Sequence, residues 1–314
     1  MDPTIVTTLL AVLGLMLGSF AGAQVWRLRA RQLREEDKLF ADLKKQTKLS
    51  RDEREDLEYL AEEAGARQKE RLHLDGLLGG VTEDYSRCLS CQHKLAWYDL
   101  LPLVSWLSTG GKCRYCHARI GKFEPLMEIG VAAVFVLSYL LWPLPMEGAQ
   151  GLLLFALWLL SVVLLAVLFA YDLKWFLLPN SLVFSLIGVG AVMTVIRLLN
   201  TPNALAVLMS TGGAILVLSG LYFLLYHVSR HQWVGFGDVK LGLGLALLLG
   251  DWRLALLALF LANLIGSLAV LPGMALGKLH RKAHVPFGPL LIAGTIIAML
   301  IGERVISYYL TLSF

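Results

Sequence analysis

The stretch Gly235-Phe236-Gly237-Asp238-Val239-Lys240 places a carboxylate and an ammonium group directly before an apolar segment. That segment, Leu241 to Gly250, is short, since at ~1.5 Å per residue it covers about half of a ~30 Å hydrocarbon core. A complete membrane span must therefore include the residues before it, which draws Asp238 into the bilayer or into a polar cleft. An ionisable residue at that depth indicates a functional site.

The composition indicates an all-α polytopic membrane protein. Of its 314 residues, 57% are hydrophobic and 17% are charged, which is more apolar than a soluble domain of this length requires. The small net charge of +4 gives no reason to expect a nucleic-acid partner. Apolar runs predict about eight transmembrane helices, at 4–26, 126–142, 151–171, 181–199, 204–226, 239–250, 254–276 and 290–301 or beyond.

The distribution of Lys and Arg predicts the orientation of these helices, because positive charge is retained on the cytoplasmic side. Four arginines between positions 27 and 34 follow the first run, which places the N-terminus outside. The turns at 143–150, 200–203 and 251–252 then fall outside and contain no Lys or Arg. The turns at 172–180, 227–238 and 277–287 fall inside and carry Lys174, Arg230, Lys278, Arg281 and Lys282.

Two segments interrupt the membrane helices, so that the chain divides into 1–27, 28–80, 81–124 and 125–314. The first range is a transmembrane helix, and the last is a membrane core of seven helices. Residues 28–80 are rich in charge and carry apolar residues at helical spacing, which predicts a cytoplasmic helical hairpin. Ser50 and Glu53 form a capping box that can open its second helix, and Gly65 can end it.

The third range contains all four cysteines, as two Cys-x-x-Cys pairs separated by 21 residues: Cys88, Cys91, Cys113 and Cys116. Two such pairs can converge as four thiolates on a tetrahedral metal, and Zn²⁺ is the ion that favours this arrangement. We therefore expect a small cytoplasmic zinc-ribbon-like domain with a structural site of four cysteine ligands. Redox or disulfide chemistry is the alternative, and His93 or His117 could replace a cysteine ligand.

The predicted topology brings Asp172 and Asp238 to the same cytoplasmic face. Two carboxylates that share a proton can activate water and protonate a leaving amine, as aspartic proteolysis requires. Gly235 and Gly237 would let an extended peptide approach the backbone, and we expect the chain from Gly235 to Asp238 to be non-helical.

Each of these residues also has a structural interpretation. Asp172 could mark the end of a span, and Asp238 could pair with Lys240. Lys240 and Glu128 are auxiliary candidates, although Glu128 could be a solvated helix cap. The pairs His227/His231 and His280/His284 have the spacing of metal ligands, but their basic turns favour contact with lipid headgroups.

In combination, these residues resemble the bacterial type IV prepilin peptidases, which are bifunctional leader peptidases and N-methyltransferases. The resemblance covers most of the chain except about 28–80. It is carried by these motifs: Gly18-Ser19-Phe20, Ser86-Arg87-Cys88, Leu101-Pro102-Leu103, Ser105-Trp106-Leu107, Pro125-Leu126, Leu178-Pro179, Gly235-x-Gly237-Asp238-x-Lys240 and Pro286-Phe287-Gly288-Pro289, with the four cysteines, Glu128 and Asp172.

The resemblance implies a multi-pass protein of the bacterial inner membrane, with its active site and zinc domain on the cytoplasmic side. Asp172 and Asp238 would be the catalytic pair that cuts the short basic leader from prepilins or pseudopilins. The cysteine domain would serve methylation of the new N-terminus with S-adenosylmethionine. The binding residues for this donor and the oligomeric state stay open.

A zinc-sensing transporter that uses the aspartates as a proton or cation relay is the alternative function. The chain contains no glycine-rich nucleotide fingerprint that would indicate a binding site for the methyl donor.

Overall fold

The computed structural model describes residues 2–45, 86–146, 148–230, 232–275 and 285–313, together with isolated positions between 54 and 77. These residues fold almost entirely into helices. The helices are α1 (Pro3–Lys45), α2 (Val104–Ser108), α3 (Phe123–Leu141), α4 (Gly148–Trp175), α5 (Asn180–Leu199), α6 (Ala204–Ile215), α7 (Leu221–Val228), α8 (Phe236–Leu249), α9 (Trp252–Ala275) and α10 (Phe287–Ser313). A π-helical turn, Leu216–Gly220, joins α6 to α7, and a 3₁₀ turn covers Trp97–Leu100.

Seven helices in the described part of the chain are long and apolar enough to cross a membrane: α1, α3, α4, α5, α6 with α7, α9 and α10. The eighth predicted span is α8, which has only 14 residues. At ~1.5 Å per residue it spans roughly 21 Å, so it does not cross a ~30 Å hydrocarbon core alone. This confirms the polytopic helical fold, with one short helix as expected.

The chain separates into two compact units, residues 1–12 with 131–314 and residues 13–130. In the first unit, α9 packs along α10 and α5 packs along α8, while α10 also contacts α4 and α8. Its fully buried side chains include Trp158, Tyr171, Leu186 and Leu245. The short helix α8 therefore lies at the centre of this unit, with eight of its residues buried.

Helix α8 begins earlier than the sequence suggested. The expectation of a non-helical backbone from Gly235 to Asp238 is wrong for Phe236, Gly237 and Asp238, which form the first turn of the helix. Only Gly235 is extended, with φ −76° and ψ 149°, and its carbonyl accepts a hydrogen bond from the Asp238 amide at 3.1 Å. This bond closes the first turn directly at the carboxylate, which leaves no room for an unwound entry.

In the second unit, α1 continues without a break from its apolar half into the charged segment and ends at Lys45. On one side of the charged half of α1, Ala30 and Leu33 pack with Leu74 and Leu77 in a small buried core. Ion pairs Arg29–Glu70, Arg67–Glu36 and Arg71–Asp37 connect α1 to the described positions that follow it. The predicted cap at Ser50 and Glu53, and Gly65, lie outside the described residues.

Candidate active site and metal site

Asp172 lies in the last turn of α4, where it is 6% exposed. Asp238 lies in the first turn of α8 and is half-buried. Their carboxyl groups are close enough to interact electrostatically. The sequence therefore correctly predicted that these two residues lie close together. Asp172 comes from the C-terminal end of α4, and Asp238 comes from the N-terminal end of α8.

The start of α10 fits against this pair. A Cβ atom built on Gly288 would lie 2.5 Å from Asp172 Oδ2 and 3.5 Å from a methyl carbon of Leu241, one turn below Asp238. Gly288 belongs to the Pro286-Phe287-Gly288-Pro289 motif, which had no assigned role at the sequence level. In this motif the backbone of Gly288 packs against the Asp172 carboxylate so closely that any residue with a Cβ atom would collide with it.

Tyr222 is a further member of this cluster that sequence reasoning missed. It is 6% exposed, its ring lies 5.4 Å from that of Phe287, and it interacts electrostatically with Asp238. No motif surrounds it in the sequence. It follows the π-helical turn, and the extra residue in such a turn changes the direction of every later side chain.

The π-helical turn also holds the start of α8 in place. Ser219 Oγ donates a hydrogen bond of 2.9 Å to the carbonyl of Val239, the residue after Asp238. A Cβ atom on Gly242 would collide with the backbone of Leu218 in the same turn. The backbone of α8 therefore lies directly on this turn, which fixes the position from which Asp238 projects.

The two glycines predicted to admit a peptide have different surroundings. Gly235 is exposed, and the nearest neighbour of a Cβ built there is an oxygen of Asp238 at 3.8 Å. A Cβ on Gly237 would instead lie 3.3 Å from a methyl carbon of Leu178. Gly235 thus leaves open space beside the carboxylate, whereas Gly237 permits packing against the Leu178-Pro179 motif.

Lys240 contacts other partners than Asp238. Its Nζ donates a hydrogen bond of 2.5 Å to Asn180 Oδ1, and it lies over the rings of Phe184 and Phe236. The described residues contain no ion pair between Lys240 and Asp238. The ammonium therefore connects α8 to the first residue of α5.

The four cysteines converge in the second unit. Their Sγ atoms all lie within 4.8 Å of one another, and those of Cys88 and Cys116 are 3.9 Å apart. A tetrahedral ion with metal–sulfur bonds of ~2.3 Å requires sulfur atoms ~3.8 Å apart, so the four thiols can hold a metal. Their similar mutual distances do not single out two disulfide pairs, and no other such group occurs among the described residues.

The two cysteine pairs form matching turns, which we call the knuckles (87–94 and 112–119). Each is closed by an isolated bridge between basic residues, Arg87 with Lys94 and Lys112 with Arg119. In each, the residue after the second cysteine has positive φ, 59° at Gln92 and 56° at His117. These residues donate their amides to the carbonyls of Cys88 and Cys113, so His117 serves the turn through its backbone.

The knuckle backbone also favours the thiolate form. Burial tends to raise the pKa of Cys113, but hydrogen bonds from the backbone of Cys116 and Tyr115 lower the pKa to about 7. Because the thiolate is the form that binds metal, these hydrogen bonds prepare the cysteine for coordination.

Glu128 is buried, with 6% exposure, and is not a solvated cap. Its Oε2 accepts a hydrogen bond of 2.8 Å from the amide of Leu103, and it interacts with Ser19. A Cβ atom on Gly18 would lie 2.7 Å from the Glu128 Cα. Three motifs quoted from the sequence therefore meet at this carboxylate, where α1 crosses α3 within the second unit.

Of the two histidine pairs, only His227 lies among the described residues, so their metal-ligand spacing stays untested. His227 contacts the ring of Phe223 and the carbonyl of the same residue. His231, His280 and His284 lie outside the described residues, as do Lys278, Arg281 and Lys282.

Two carboxylates at adjoining helix ends, inside a bundle of membrane-length helices, are the arrangement of a membrane aspartic peptidase. The model of the bacterial peptidase A24 N-terminal domain matches residues 12–142, and that of the type IV leader peptidase family matches residues 158–271. The chain belongs to the type IV leader peptidase family.

Curated relatives extend the match to nearly the whole chain. A prepilin leader peptidase/N-methyltransferase of Stutzerimonas stutzeri is 30% identical over 306 residues, 95% of this chain and 92% of the relative. Proteins of the same name from Pseudomonas aeruginosa and Bacillus subtilis are 31% and 29% identical, over 72% and 73% of this chain and 74% and 86% of their own lengths. No solved structure matches the chain. The transporter alternative receives no support from these relatives.

Proposed function

We propose that this protein cuts the leader from type IV prepilins or pseudopilins and then methylates the new N-terminal amine. The observation that carries the peptidase activity is the meeting of Asp172 and Asp238 beside the backbone of Gly288. The relatives' names supply the substrate class and the second reaction.

In the proposed cleavage, a water molecule between the carboxyl groups attacks the scissile carbonyl. Asp238 lies at the N-terminal end of α8, where positive partial charge favours the anion, and we assign it as the base. Asp172 lies at the C-terminal end of α4, where the anion is disfavoured, and we assign it as the acid that protonates the leaving amine. Because the two groups interact, only the pair has well-defined titration constants.

The extended backbone at Gly235 supports a place for the substrate chain. Gly235 is exposed and adjoins Asp238, so a peptide can lie against it without meeting a side chain. Cleavage before the hydrophobic helix of a prepilin suits a carboxylate pair at the ends of membrane helices.

The proposed site faces the cytoplasm of a bacterial inner membrane. Lys174 follows Asp172, and Arg230 precedes Asp238, so both carboxylates adjoin basic turns. The connections at the other ends of these helices, 143–150, 200–203 and 251–252, contain no Lys or Arg. This asymmetry supports the orientation through the retention of positive charge inside.

We further propose that the four cysteines bind one structural Zn²⁺ ion through their four thiolates and that this ion stabilises the fold of the second unit.

Methylation also requires a donor, and S-adenosylmethionine supplies a methyl group carried on a positively charged sulfur. The new N-terminal amine attacks this methyl carbon. The carbon–sulfur bond breaks with its electrons left on sulfur, and the methylated amine releases a proton.

Conservative replacement of the two carboxylates tests the peptidase assignment. We expect Asp172→Asn and Asp238→Asn each to reduce leader cleavage of a purified prepilin by at least about 10³-fold, since each removes one half of the acid–base pair. Asp251→Asn, a change in the connection between α8 and α9, is the matched control and should cleave normally. Cleavage retained in either aspartate variant would contradict the assignment.

A further inference from the structure

The second unit contains a cavity of about 300 Å³, within the range of small-molecule sites. Its lining comes from the middle of α1, the two knuckles, α2 and the first turns of α3. None of these elements carries Asp172 or Asp238, so the cavity is separate from the proposed peptidase site. Its lining combines three acidic, five basic and three aromatic side chains, and one of the acidic residues, Asp99, pairs with Arg114.

Two carboxylates line this cavity from one face of α3. Glu124 and Glu128 are four residues apart, so their side chains lie one turn from each other. Glu128 is buried, and Glu124 Oε1 accepts a hydrogen bond of 3.2 Å from the indole of Trp26. Neither forms an ion pair with a residue in the described part of the chain. The partly paired carboxylate of Glu124, with the buried carboxyl group of Glu128 beside it, can therefore meet a positively charged ligand.

The other walls of the cavity suit the base and the carboxylate of a nucleoside that is joined to an amino acid. The indoles of Trp26 and Trp106 line the cavity, and aromatic rings favour both flat bases and cations. Arg27 also lines it and forms no ion pair with a described residue, so it can meet a carboxylate. The cavity thus offers partners for the carboxylate and for the central cation of such a ligand.

A cavity in the first unit has a different character. It measures about 530 Å³, and its lining includes the guanidinium of Arg197, which donates to the carbonyls of Leu247 and Leu248. Its one carboxylate, Asp251, already pairs with Arg253. The cavity in the second unit also has basic walls, but Glu124 and Glu128 form no ion pair with a described residue, so a cationic group fits beside these two side chains better than beside Asp251.

We propose that the cavity in the second unit binds S-adenosylmethionine, with Glu124 and Glu128 facing the sulfonium, the tryptophans facing the adenine and Arg27 facing the carboxylate. This inference rests on the proposed N-methylation and adds the place where the donor binds. It also gives the Gly18-Ser19-Phe20 motif a role, because the close crossing at Gly18 brings α1 and α3 together to form one wall.

Ligand binding to the purified full-length protein tests the proposal without any turnover. Dissociation constants are measured by calorimetry for sinefungin, which carries a positive amine in place of the sulfonium, and for S-adenosylhomocysteine, which is neutral at this position. We expect Glu124→Gln to weaken sinefungin binding by about tenfold or more and S-adenosylhomocysteine binding by less than about twofold. Trp106→Leu should weaken both ligands alike, because both contain adenine.

Glu303→Gln is the matched control, since it removes an exposed carboxylate from α10, outside the cavity. It should leave both constants unchanged. Glu128→Gln serves as a second variant with the same expected selectivity, and melting temperatures report whether each variant is folded.

Equal weakening of both ligands by Glu124→Gln and Glu128→Gln in folded protein would overturn the sulfonium contact. A wild-type protein that methylates prepilin, while none of the cavity variants changes donor binding, would overturn the site but keep the proposed methylation. A wild-type protein that neither binds sinefungin nor methylates would overturn both.

Discussion

Gly288 shows how one missing side chain can shape the proposed catalytic site. Its backbone lies where a Cβ atom would meet Asp172 Oδ2. Because Gly288 has no side chain, the first turn of α10 can pack directly against the Asp172 carboxylate.

We predict that Gly288→Ala lowers leader cleavage by about tenfold or more, because the added methyl group displaces the Asp172 carboxylate from Asp238. Gly188→Ala in α5 is the matched control, since a Cβ there meets nothing within 4 Å. Cleavage rates of both variants, measured beside their melting temperatures, separate a displaced carboxylate from a general loss of stability. Equal cleavage by the two variants would contradict this role for Gly288.

At the residue level, the sequence predicted the two aspartates and the four cysteines, because charges inside apolar segments and paired cysteines stand out from their surroundings. It did not predict Tyr222 or the role of Gly288. Their neighbours in space are distant in sequence, and their directions depend on a π-helical turn and on the start of α10. Local patterns contain no information on either.

At the level of elements, the short helix α8 has a defined C-terminal end as well as a defined start. Gly250 adopts a left-handed conformation with φ 66°, and its amide bonds to Ala246. The Arg197 guanidinium donates to the carbonyls of Leu247 and Leu248 at 3.1 and 2.6 Å. The Leu247 carbonyl also accepts a longer bond of 3.5 Å from Thr194 Oγ1, whereas the Leu248 carbonyl depends on Arg197 among the described residues. Water does not replace a missing bond at membrane depth.

We expect Arg197→Met to lower the free energy of unfolding by about 2 to 3 kcal/mol, since two hydrogen bonds from a charged donor to the end of α8 are lost. Arg253→Met is the control, because Arg253 forms a partly exposed ion pair with Asp251 that contributes about 1 kcal/mol or less. Denaturation in detergent micelles measures both values. A loss for Arg253→Met as large as for Arg197→Met would argue against a specific cap.

The sequence did not predict where α8 begins, because this depends on the neighbours of two glycines. Two glycines around Asp238 suggested an unwound backbone, but Gly235 alone is extended and its carbonyl closes the first helical turn. Gly237 is helical and makes room for Leu178. A glycine allows unwinding and close packing equally, so only its neighbours decide between the two.

At the scale of the molecule, the two proposed sites belong to different units. Asp172 and Asp238 lie in the unit formed by residues 1–12 and 131–314, and the cysteines lie in residues 13–130. The composition changes from apolar to charged at about 28 and back at about 125, which predicted four ranges and did not predict these two units. It could not predict that α1 runs unbroken across the first change.

This separation predicts the result of removing the metal. Cys113→Ser should lower bound zinc, measured by mass spectrometry, from about one ion per chain to nearly none, because a closed thiolate site needs all of its ligands. Leader cleavage should fall by less than about threefold, while N-methylation is lost. Ser108→Ala, in α2 and outside both knuckles and the cavity lining, should change none of the three. Full zinc content in the Cys113→Ser variant would contradict the ligand assignment.

The likeness of the two knuckles has a consequence for how the protein matures. Each knuckle closes through its own backbone bonds, and the second begins about 18 residues after the first is complete. During synthesis at roughly 5 to 20 residues per second, the first pair of thiols leaves the ribosome seconds ahead of the second. The proposed ion would therefore meet the first two thiols before the other two, so that its ligands become available in the order of translation.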